Sequence, residues 1–520
     1  MTSRDGTALL NALNSVAGAA AVITNADERR FQSQDAAAEG ALPLAVVRPK
    51  TVEALAAAVA ATTAAGYAVH PRGGGMSYTD AFLPQSERAV LFDLTGLDRI
   101  VTINAEDLWV TVEAGCTWAM LDAALAPHGV RARFWGPFSG HTATVGGSIA
   151  QGTATFGSGR NGISGDNLLG LDVVLADGRI LSTGSGGQPG HSPFFRQYGP
   201  DLTGLFAQDA GALGLKARVT LPLEPRPAFV GGLSFLFADF TSLAAAMRAV
   251  SREALASEVF ALDPVVARHF AGDSGGARQD LAMLFRIGAA ERGPVRALAA
   301  MVRAAAAGRR FLGRQGYHCH IIAEANDART LATLHAGIRA HCSAAAELPA
   351  TVPAMVRAMP FAPLPVLTPG GERMLPLHGL VPWSAAAALD AAISDLVASR
   401  RLALDAAQVT VASSFFAVGR GVLLYEPVLY WPDDRSLYQE RRAPADAPRH
   451  PANPAARAAV AELKTALIGA FWDAGATHLQ IGRLYPWLRD RDPAFLALVA
   501  ALKHEVDPHG LINPGALGLK

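Results

Sequence analysis

Three consecutive glycines, Gly73 to Gly75, stand in the stretch "HPRGGGMSYTD", directly after a predicted strand. Because glycine has no Cβ, successive backbone N–H groups in such a loop can point the same way and contact a ligand closely. This arrangement suits a pyrophosphate. The loop lacks the lysine of a Walker loop, and residues 78–84 are predicted as coil, whereas the dinucleotide fingerprint requires a helix there. A glycine-rich turn without a ligand is the alternative.

A second segment with the composition of a binding loop covers residues 136–167 and is rich in Gly, Ser and Thr. It has little apolar periodicity, so we predict a long loop. Long loops inside compact domains are usually functional or disordered, and the predicted strands on both sides favour function. The segment would supply a second backbone wall for a ligand; a surface loop without a ligand is the alternative.

Polar side chains that could act on a substrate lie in "THLQIGRLYPW", an apolar, strand-like stretch near the end of the chain. The candidates are His478, Gln480, Arg483 and Tyr485. The planar guanidinium of Arg483 suits either a carboxylate or a phenolate. We expect Arg483 to anchor the substrate; a surface arginine is the alternative.

Two β-rich stretches carry further candidates, His378 in "MLPLHGLVPW" and Tyr425, Glu426 and Tyr430 in "GVLLYEPVLYWP". Side chains alternate along a strand, so Tyr425 lies on the opposite face from Glu426, and we expect one of these faces to point into a cavity. We select His378, Tyr425 and Tyr430 as candidate catalytic residues. Burial in the core is the alternative for each of them.

The stretch "GYHCHIIAEAN" places His318, His320 and Glu324 on one strand face, a pattern that can hold a metal ion. Polar residues on a solvated sheet face explain the pattern more simply, so we predict no metal site. The 3 cysteines show no metal-ligand spacing, and their odd number leaves at least one unpaired. This favours a reducing compartment over a disulfide scaffold.

The elements that must position these residues follow from the pattern of the chain. Residues 43–78 are predicted as strand, helix and strand, with Thr51 capping the helix and the glycine loop following. After a proline cluster at 222–227, alanine-rich helices alternate with β-rich stretches, which is typical of an α+β domain with helices on one sheet face. Residues 433–456 are predicted as an exposed loop. The predicted parts are 1–227, 228–475 and a C-terminal segment, 476–520.

Composition excludes several classes of protein. A chain of 520 residues is too long for a single core, so we expect two or more domains. Its 45 basic and 45 acidic residues cancel, which leaves no field that attracts nucleic acid. The first residues contain no continuous apolar run typical of a signal peptide, and no stretch reaches the roughly 20 apolar residues of a membrane span. We expect a cytoplasmic protein.

Six motifs occur in a specific order: "PRGGGMSYTD", "VTVEAGCTW", "ATVGGSIAQG", "GDNLLGLDVVLADGRIL", "DLTGLFAQDAGALGL" and "DPHGLINPGALG". This order resembles the FAD enzymes of the vanillyl-alcohol oxidase and para-cresol methylhydroxylase superfamily, to which D-lactate dehydrogenases also belong. The resemblance covers about 40–225 and the last dozen residues, and is weak between them. It implies an α+β fold with a two-subdomain FAD-binding domain and an α+β substrate domain with an antiparallel sheet.

The resemblance also implies which residues contact FAD. Residues 73–77 would wrap the pyrophosphate, and residues 144–151 would line the pyrophosphate and the flavin edge. Residues 161–166 would close the ribityl side, and the backbone at 216–219 would meet the adenine. The implied set is Pro71, Arg72, Gly73, Gly74, Gly75, Met76, Ser77, Pro137, Thr144, Gly146, Gly147, Ser148, Gln151, Gly152, Asn161, Gly162, Gly165, Asp166, Val219 and, near the ring, Asn513.

The chain departs from its relatives at the usual attachment residue. Many relatives bind FAD covalently through a histidine at the position of Met76, and methionine cannot form that bond. Relatives of the vanillyl-alcohol oxidase kind use a histidine or tyrosine of the second domain. His378 is the nearest candidate, but its spacing to Pro382 differs from theirs. The resemblance with these departures implies non-covalent FAD.

The implied reaction is oxidation of a hydroxyl-bearing small molecule by hydride transfer to N5 of the flavin. The substrate would be a phenolic or benzylic alcohol, or a 2-hydroxy acid. Electrons would pass to oxygen, approaching beside Gly152 and Thr153, or to an electron-carrier protein. Relatives are often homodimers.

Two alternatives stay open. One is a sugar-alcohol or lactone oxidase, although such relatives usually carry the histidine that Met76 replaces. The other is a flavin-binding protein without turnover.

Overall fold

The computed structural model of the protein describes residues 4–272, 276–289, 297–298, 301–302, 305, 313–361 and 366–520. Within these residues the chain forms three β-sheets that occupy consecutive stretches of the sequence. The helices are α1 (Arg4–Ala17), α2 (Ala26–Gln32), α3 (Val52–Ala64), α4 (Trp118–Leu125), α5 (Val145–Gln151), α6 (Ser158–Asn161), α7 (Leu202–Leu205), α8 (Phe240–Arg252), α9 (Pro264–Gly272), α10 (Gly276–Ala289), α11 (Ala328–His341), α12 (Thr351–Ala358), α13 (Ala386–Ser399), α14 (Arg401–Ala406), α15 (Leu437–Arg442), α16 (Pro454–Asp473) and α17 (Pro493–Val506).

The first sheet contains the strand–helix–strand unit that leads into the glycine loop. Its strands are β1 (Val22–Ile23), β2 (Ala45–Val47), β3 (Ala68–Arg72) and β4 (Ala89–Asp93), in the order β1-β2-β4-β3. Strands β2 and β3 both run parallel to β4, with α3 crossing between them. The predicted cap of α3 is confirmed, because the side chain of Thr51 accepts a hydrogen bond from Ala54 N.

The second sheet is antiparallel and carries the predicted hairpin. Its strands are β5 (Ile100–Asn104), β6 (Trp109–Glu113), β7 (Val130–Ala132), β8 (Gly170–Val174), β9 (Ile180–Ser182) and β10 (Leu215–Pro225). The order is β5-β6-β10-β8-β9, with β7 beside β10. The Asp-Gly turn between β8 and β9 is confirmed, with Gly178 at φ 83°. The division of the chain at residue 227 stays a prediction.

The third sheet is antiparallel and forms the frame of the second half. Its strands are β11 (Phe229–Phe237), β12 (Glu258–Leu262), β13 (Tyr317–Ala325), β14 (Ala346–Leu348), β15 (Arg373–Pro376), β16 (Gly379–Pro382), β17 (Thr410–Val418) and β18 (Val422–Trp431). The order is β14-β11-β13-β12-β17-β18-β15, with β16 beside β18. Helices α8, α11, α13 and α16 bury one face in the largest core, and the opposite face is left for a cavity.

This arrangement confirms the predicted α+β fold class, while three local predictions were wrong. The expected loop at 136–167 contains α5, because Thr144 caps it and Val145 N and Gly146 N donate to Cys116 O and Ala114 O. The expected exposed loop at 433–456 contains α15. The strand-like stretch at 477–487 has one isolated β-bridge, between Thr477 and Leu380, and otherwise consists of turns, bends and coil. Caps and tertiary hydrogen bonds decided the first two cases, where periodicity gave no signal.

A buried charge cluster joins the second and third sheets. Arg131 of β7 donates to Glu224 of β10 and to Glu324 of β13, at 2.8 and 2.6 Å. Arg357 of α12 donates to Glu324 and to Glu258 of β12. Burial opposes ionisation, but Arg357 and Arg131 together hold the pKa of Glu324 at about 2. Removing one member would leave its partners buried and unpaired, so the cluster acts as a unit.

The cluster also corrects the interpretation of "GYHCHIIAEAN". Both His318 and His320 have side chains that are fully buried, so they do not lie on a solvated face. His320 Nδ1 contacts Ser234 Oγ at 2.9 Å, and Glu324 is held by the two arginines. Within the described ranges, no group of three or more His, Cys, Asp or Glu side chains is arranged to hold a metal ion.

The three cysteines, Cys116, Cys319 and Cys342, are all buried free thiols. No helix in the described part of the chain combines the length and the apolar character that crossing a membrane requires.

Candidate cofactor and substrate site

The glycine loop and the start of α5 meet in close backbone contact. A Cβ at Gly73 would overlap Thr144 Oγ1 and lie 3.6 Å from Gly147 Cα. A Cβ at Gly74 would overlap the carbonyl oxygen of Thr142. Only glycine allows this approach, so two distant segments of the sequence converge on one slot.

The glycine loop presents unpaired donors to that slot. The backbone N–H groups of five successive residues, Gly74 to Tyr78, have no acceptor within the described ranges. Gly74, Gly75 and Ser77 are buried. Buried N–H groups are almost always paired, so a run of unpaired ones marks a place for an external acceptor. A curved run of amides fits the oxygens of a diphosphate.

Helix α15 holds this loop from its outer side. Tyr438, which is fully buried, donates from its hydroxyl to Gly75 O at 2.8 Å. Arg442 donates to Gly74 O at 2.8 Å and lies 4.7 Å from the centre of the Tyr438 ring. These donors bind the loop carbonyls and leave the N–H groups of the loop unpaired.

A single cavity of about 860 Å³ runs from this slot to the third sheet. Such a volume lies at the upper end of the range for small-molecule sites, roughly 300–1,000 Å³. The first part, the cofactor slot, is lined by residues 71–78, Pro137, Phe138, residues 143–144, residues 146–148, residues 150–151, Ala210, Gly211, Gly214 and Lys216. The second part, the substrate chamber, is lined by Phe260, Leu262, Val266, Met283, Val352, Met355, Val356, Met359, Met374, Pro376, His378, Ser414, Phe416, Leu424, Glu426, Val428, Tyr430, Leu479 and Gln480.

The predicted alternation in β18 is confirmed, and it selects Glu426. Leu424, Glu426, Val428 and Tyr430 face the chamber. Tyr425 points into the helical core, where its hydroxyl donates to Asp390 at 2.8 Å. The expectation of a catalytic role for Tyr425 therefore does not fit its position, since its side chain cannot reach the cavity.

Glu426 is the centre of a polar row across the sheet. Ser414 of β17 pairs directly with Glu426. On the other side, the register of Pro376 with Val428 and of Gly379 with Tyr425 places His378 opposite Glu426. Directly opposed Cβ atoms are about 4.5–5.5 Å apart in such pairs. Three polar side chains thus share one patch of an otherwise apolar wall.

The carboxyl group of Glu426 has no hydrogen bond or ion pair to any described residue. Burial alone raises its pKa to about 7. A buried carboxyl group with such a pKa, facing a cavity without a partner, is typical of a group that exchanges a proton with a ligand.

Two tyrosines approach Glu426 from different elements. Tyr78 follows the glycine loop, and Tyr430 lies on the same strand face as Glu426. Burial raises the pKa of both hydroxyl groups, and the charge of Glu426 contributes to both shifts. Both hydroxyl groups therefore stay protonated and can donate a hydrogen bond in the chamber.

His378 is held as a neutral ring at the chamber wall. Its Nε2 lies 2.8 Å from Leu479 O, which can only accept, so the proton is on Nε2. Burial lowers its pKa to about 4. Its backbone N donates to the Tyr485 hydroxyl at 2.9 Å, and the His478 ring stacks on Tyr485 at 3.8 Å. Tyr485 and His478 thus position His378 without lining the chamber.

Arg483, the predicted substrate anchor, lies outside the cavity. Its guanidinium donates to Pro514 O and Asn513 Oδ1, each at 2.8 Å, and also to Asp80 O. It therefore connects the C-terminal segment to the region just after the glycine loop, and it does not line the cavity.

The other predicted contacts divide between the cavity and its surroundings. Gln480 lines the chamber and donates from its N to Gln151 O at 2.6 Å. Val219 lies in the core of the second sheet, and Lys216 is the residue of β10 that reaches the slot. Predicted residues at the slot are Pro71, Arg72, Gly73, Gly74, Gly75, Met76, Ser77, Pro137, Thr144, Gly146, Gly147, Ser148 and Gln151; those outside its lining are Gly152, Asn161, Gly162, Gly165, Asp166, Val219 and Asn513.

Asn513 connects four separate segments of the chain beside the slot. Its Oδ1 accepts from Arg483 and from His70 Nδ1, at 2.8 and 3.0 Å. Its Nδ2 donates to Ala81 O and Ala210 O, at 2.8 and 2.7 Å. Its φ of 42° lies in the left-handed region, which asparagine tolerates better than most residues.

We expect Asn513→Ala to lower the free energy of unfolding by at least about 2 kcal/mol, because buried groups lose their partners. Denaturant titration followed by circular dichroism measures the loss. Asn104→Ala is the control, since its side chain bonds only the exposed turn at Asp107, and it should change stability less than half as much. Equal stability of Asn513→Ala and the parent would contradict the role of Asn513.

Comparisons with known proteins relate the chain to FAD-binding proteins. A family model described as "FAD binding domain" matches residues 43–184. An uncharacterized FAD-linked oxidoreductase of Mycobacterium tuberculosis (strain CDC 1551 / Oshkosh) is 28% identical over 218 residues, 42% of this chain and 45% of that protein. Glycolate oxidase subunit GlcD of Escherichia coli (strain K12) is 29% identical over 226 residues, 43% of each chain. These matches span less than half the length of either relative.

The likeness to solved structures extends over the whole chain. The structure of p-cresol methylhydroxylase with substrate bound aligns with a TM-score of 0.72 at 16% identity, covering 100% of this chain and 98% of that one. At this identity the likeness shows the fold.

Sequence reasoning missed several residues at the site. Glu426 lies on one of the two strand faces that the sequence offers for the cavity, but it is not among the selected catalytic residues, and Tyr78 is named only as part of a motif. The contribution of α15 had no signal in the sequence, because its proline-rich surroundings indicate a loop.

Proposed function

The chain has the fold and the FAD-binding domain of the vanillyl-alcohol oxidase and para-cresol methylhydroxylase superfamily, and on this premise we propose an FAD-dependent oxidoreductase that oxidises a hydroxyl-bearing small molecule. The observation that carries the proposal is one cavity that joins the unpaired amides of residues 74–78 to the carboxyl group of Glu426. A cofactor site and a proton acceptor in the same space are what alcohol oxidation needs.

The residues of the slot would hold FAD. Bound FAD supplies a flavin ring that accepts a hydride from carbon. The amides of the glycine loop bind the diphosphate, and α5 forms the opposite wall of the slot. The positive charge of Lys216, which is ion-paired with Asp209, lies at the same slot.

The residues of the chamber handle the substrate. Glu426, in its ionised form, accepts the hydroxyl proton as the carbon loses its hydride. A base with a pKa near 7 combines a useful ionised fraction with real basicity at neutral pH. Tyr78 donates a hydrogen bond that orients the hydroxyl oxygen, Tyr430 lines the same chamber, and the apolar walls exclude water.

The relatives carry different activities, so the comparisons do not select one substrate class. One relative is a glycolate oxidase subunit, and the structural neighbour is a p-cresol methylhydroxylase. A phenolic or benzylic alcohol, or a 2-hydroxy acid, are therefore the proposed substrate classes. Oxygen or an electron-carrier protein would take the electrons.

Anaerobic mixing of the purified holoprotein with a panel of alcohols tests this function. Loss of the flavin absorption band in stopped-flow measurements shows a reductive half-reaction. A protein that stays yellow with every alcohol would be a flavin carrier without turnover. A colourless protein that binds no added FAD would overturn the assignment.

We expect FAD to be released on acid precipitation, because neither Met76 nor His378 is available for attachment. Met76 occupies the usual position, and Nε2 of His378 is held by Leu479 O. Absorbance at 450 nm in the supernatant measures release, and in-gel fluorescence under ultraviolet light checks for retained flavin. Retention of the yellow colour in the pellet would show covalent attachment. His378→Ala would then identify the bond if it restored release.

A further inference from the structure

The substrate chamber is apolar and lined with methionine. The methionines come from three parts of the chain: Met283 from α10, Met355 and Met359 from α12 and its C-terminal end, and Met374 from β15. Leu262 and Val266 extend the same wall. Methionine side chains are flexible and polarisable, so this wall suits a large apolar body whose shape it can follow.

Positive charge is confined to the other end of the cavity. Among the described residues, the arginine and lysine side chains that line the cavity are Arg72 and Lys216, both in the cofactor slot. Lys216 is paired with Asp209, and Arg72 lies 5.3 Å from the centre of the Phe82 ring. Neither faces the chamber.

The arginines close to the chamber are already engaged. Arg357 projects from α12 towards Glu258 and Glu324, away from the chamber lining. Arg483 donates to Asn513 Oδ1, Pro514 O and Asp80 O. Arg286 of α10 is exposed and donates to the sulfur of Met359 at 2.7 Å, but it does not line the chamber. A carboxylate or phenolate in the chamber would therefore have no cation among the described lining residues as partner, and it would lie beside Glu426. Burying an unpaired anion is strongly unfavourable.

Resting on the proposed function, we propose that the substrate is an uncharged alcohol with a bulky apolar body, bound with its hydroxyl at Glu426 and its body against the methionine wall. Small 2-hydroxy acids and ionised phenols are excluded by charge. Two features together would select against anionic substrates. The described residues that line the chamber include no cation, and Glu426 adds a negative charge when it is ionised.

Binding to the holoprotein tests this under anaerobic conditions at pH 8, read as perturbation of the flavin absorption spectrum. The matched probes are 1-phenylpropan-2-ol and phenyllactate, which share the aryl group and the secondary hydroxyl and differ in a carboxylate. We expect the neutral alcohol to bind at least about 100-fold more tightly, since each 1.4 kcal/mol corresponds to a factor of ten. Equal or tighter binding of phenyllactate would overturn the proposal.

A charge introduced into the wall provides a second measurement. Met374→Lys places an ammonium group on the strand that pairs with Tyr430, and should shift the binding ratio at least tenfold towards phenyllactate. Met120→Lys, at an exposed position, should leave the ratio unchanged. An unchanged ratio in a flavin-loaded Met374→Lys protein would count against the proposal; if that variant loses flavin, the ratio of the parent protein decides.

The outcomes separate this proposal from the function on which it rests. If the neutral alcohol binds selectively but no alcohol reduces the flavin, the proposed oxidoreductase function is wrong and the proposed ligand specificity stands. If phenyllactate reduces the flavin and neutral alcohols do not, the proposed oxidoreductase function stands and the proposed substrate class is wrong.

Discussion

Gly74→Ala is expected to yield a folded protein without bound FAD. The new Cβ would overlap the carbonyl oxygen of Thr142, and this contact is with backbone, so no side-chain rotation relieves it. Gly74 has no left-handed φ, so the effect comes from lost space and not from backbone strain. The loop must move away from α5, and its amides then no longer converge on the diphosphate. Losing two such charge-assisted bonds should weaken FAD binding by at least about 100-fold.

Titration of the apoprotein with FAD, followed by quenching of flavin fluorescence, measures this effect. Gly421→Ala is the matched control, because a Cβ at that position would meet no heavy atom within 4 Å and its φ is ordinary. It should bind FAD like the parent. Normal FAD affinity of Gly74→Ala would show that the close approach of the two segments is not needed for binding.

Glu426→Gln is expected to retain FAD and lose turnover. The amide has the size of the carboxyl group but cannot accept the hydroxyl proton, so kcat/KM should fall by about 10²- to 10⁴-fold. Glu253→Gln serves as control, because that side chain is 57% exposed and lies outside the cavity. Full activity of a flavin-loaded Glu426→Gln protein would remove Glu426 from the mechanism.

The pH dependence of flavin reduction provides a second test of Glu426 as the base. Since the base must be ionised, the rate of flavin reduction in the parent should rise with pH through about 7 and level off above it. The residual rate of Glu426→Gln should not show this rise. A rise that persists in the variant would assign the titration to another group.

Stability distinguishes a proton acceptor from a structural carboxyl group. The folded-state pKa of Glu426 is raised, so the folded protein binds its proton more tightly than the unfolded chain does. The free energy of unfolding therefore falls as pH rises from about 4.5 to about 7. Above that range, ionised Glu426 destabilises the folded protein. At pH 8 the Glu426→Gln apoprotein should be more stable than the parent, by up to about 3 kcal/mol.

The features that could be predicted from the sequence depend on residues close together in the chain. The cap at Thr51 and the hairpin at Gly178 depend on neighbouring residues, and the glycine loop has a composition that few roles explain. The alternation around Tyr425 and Glu426 also followed from strand geometry.

What the sequence could not predict depends on distant contacts. Alternation gives two faces of β18, but the packing of α8 and α13 against one of them decides that Tyr425 is core and Glu426 lines the chamber. Arg483 has the chemistry of an anion anchor, yet the C-terminal turn at Pro514 takes its donors. Tyr438 belongs to a segment whose prolines indicate a loop, and its partner lies 363 positions earlier.

The contact of Tyr438 and Arg442 with the glycine loop bears on how the protein matures. A nascent chain that has released only its first two sheets from the ribosome has the glycines but lacks the donors that hold the carbonyls of Gly74 and Gly75. Flavin capture would then be a late event in biosynthesis, after most of the polypeptide has been translated.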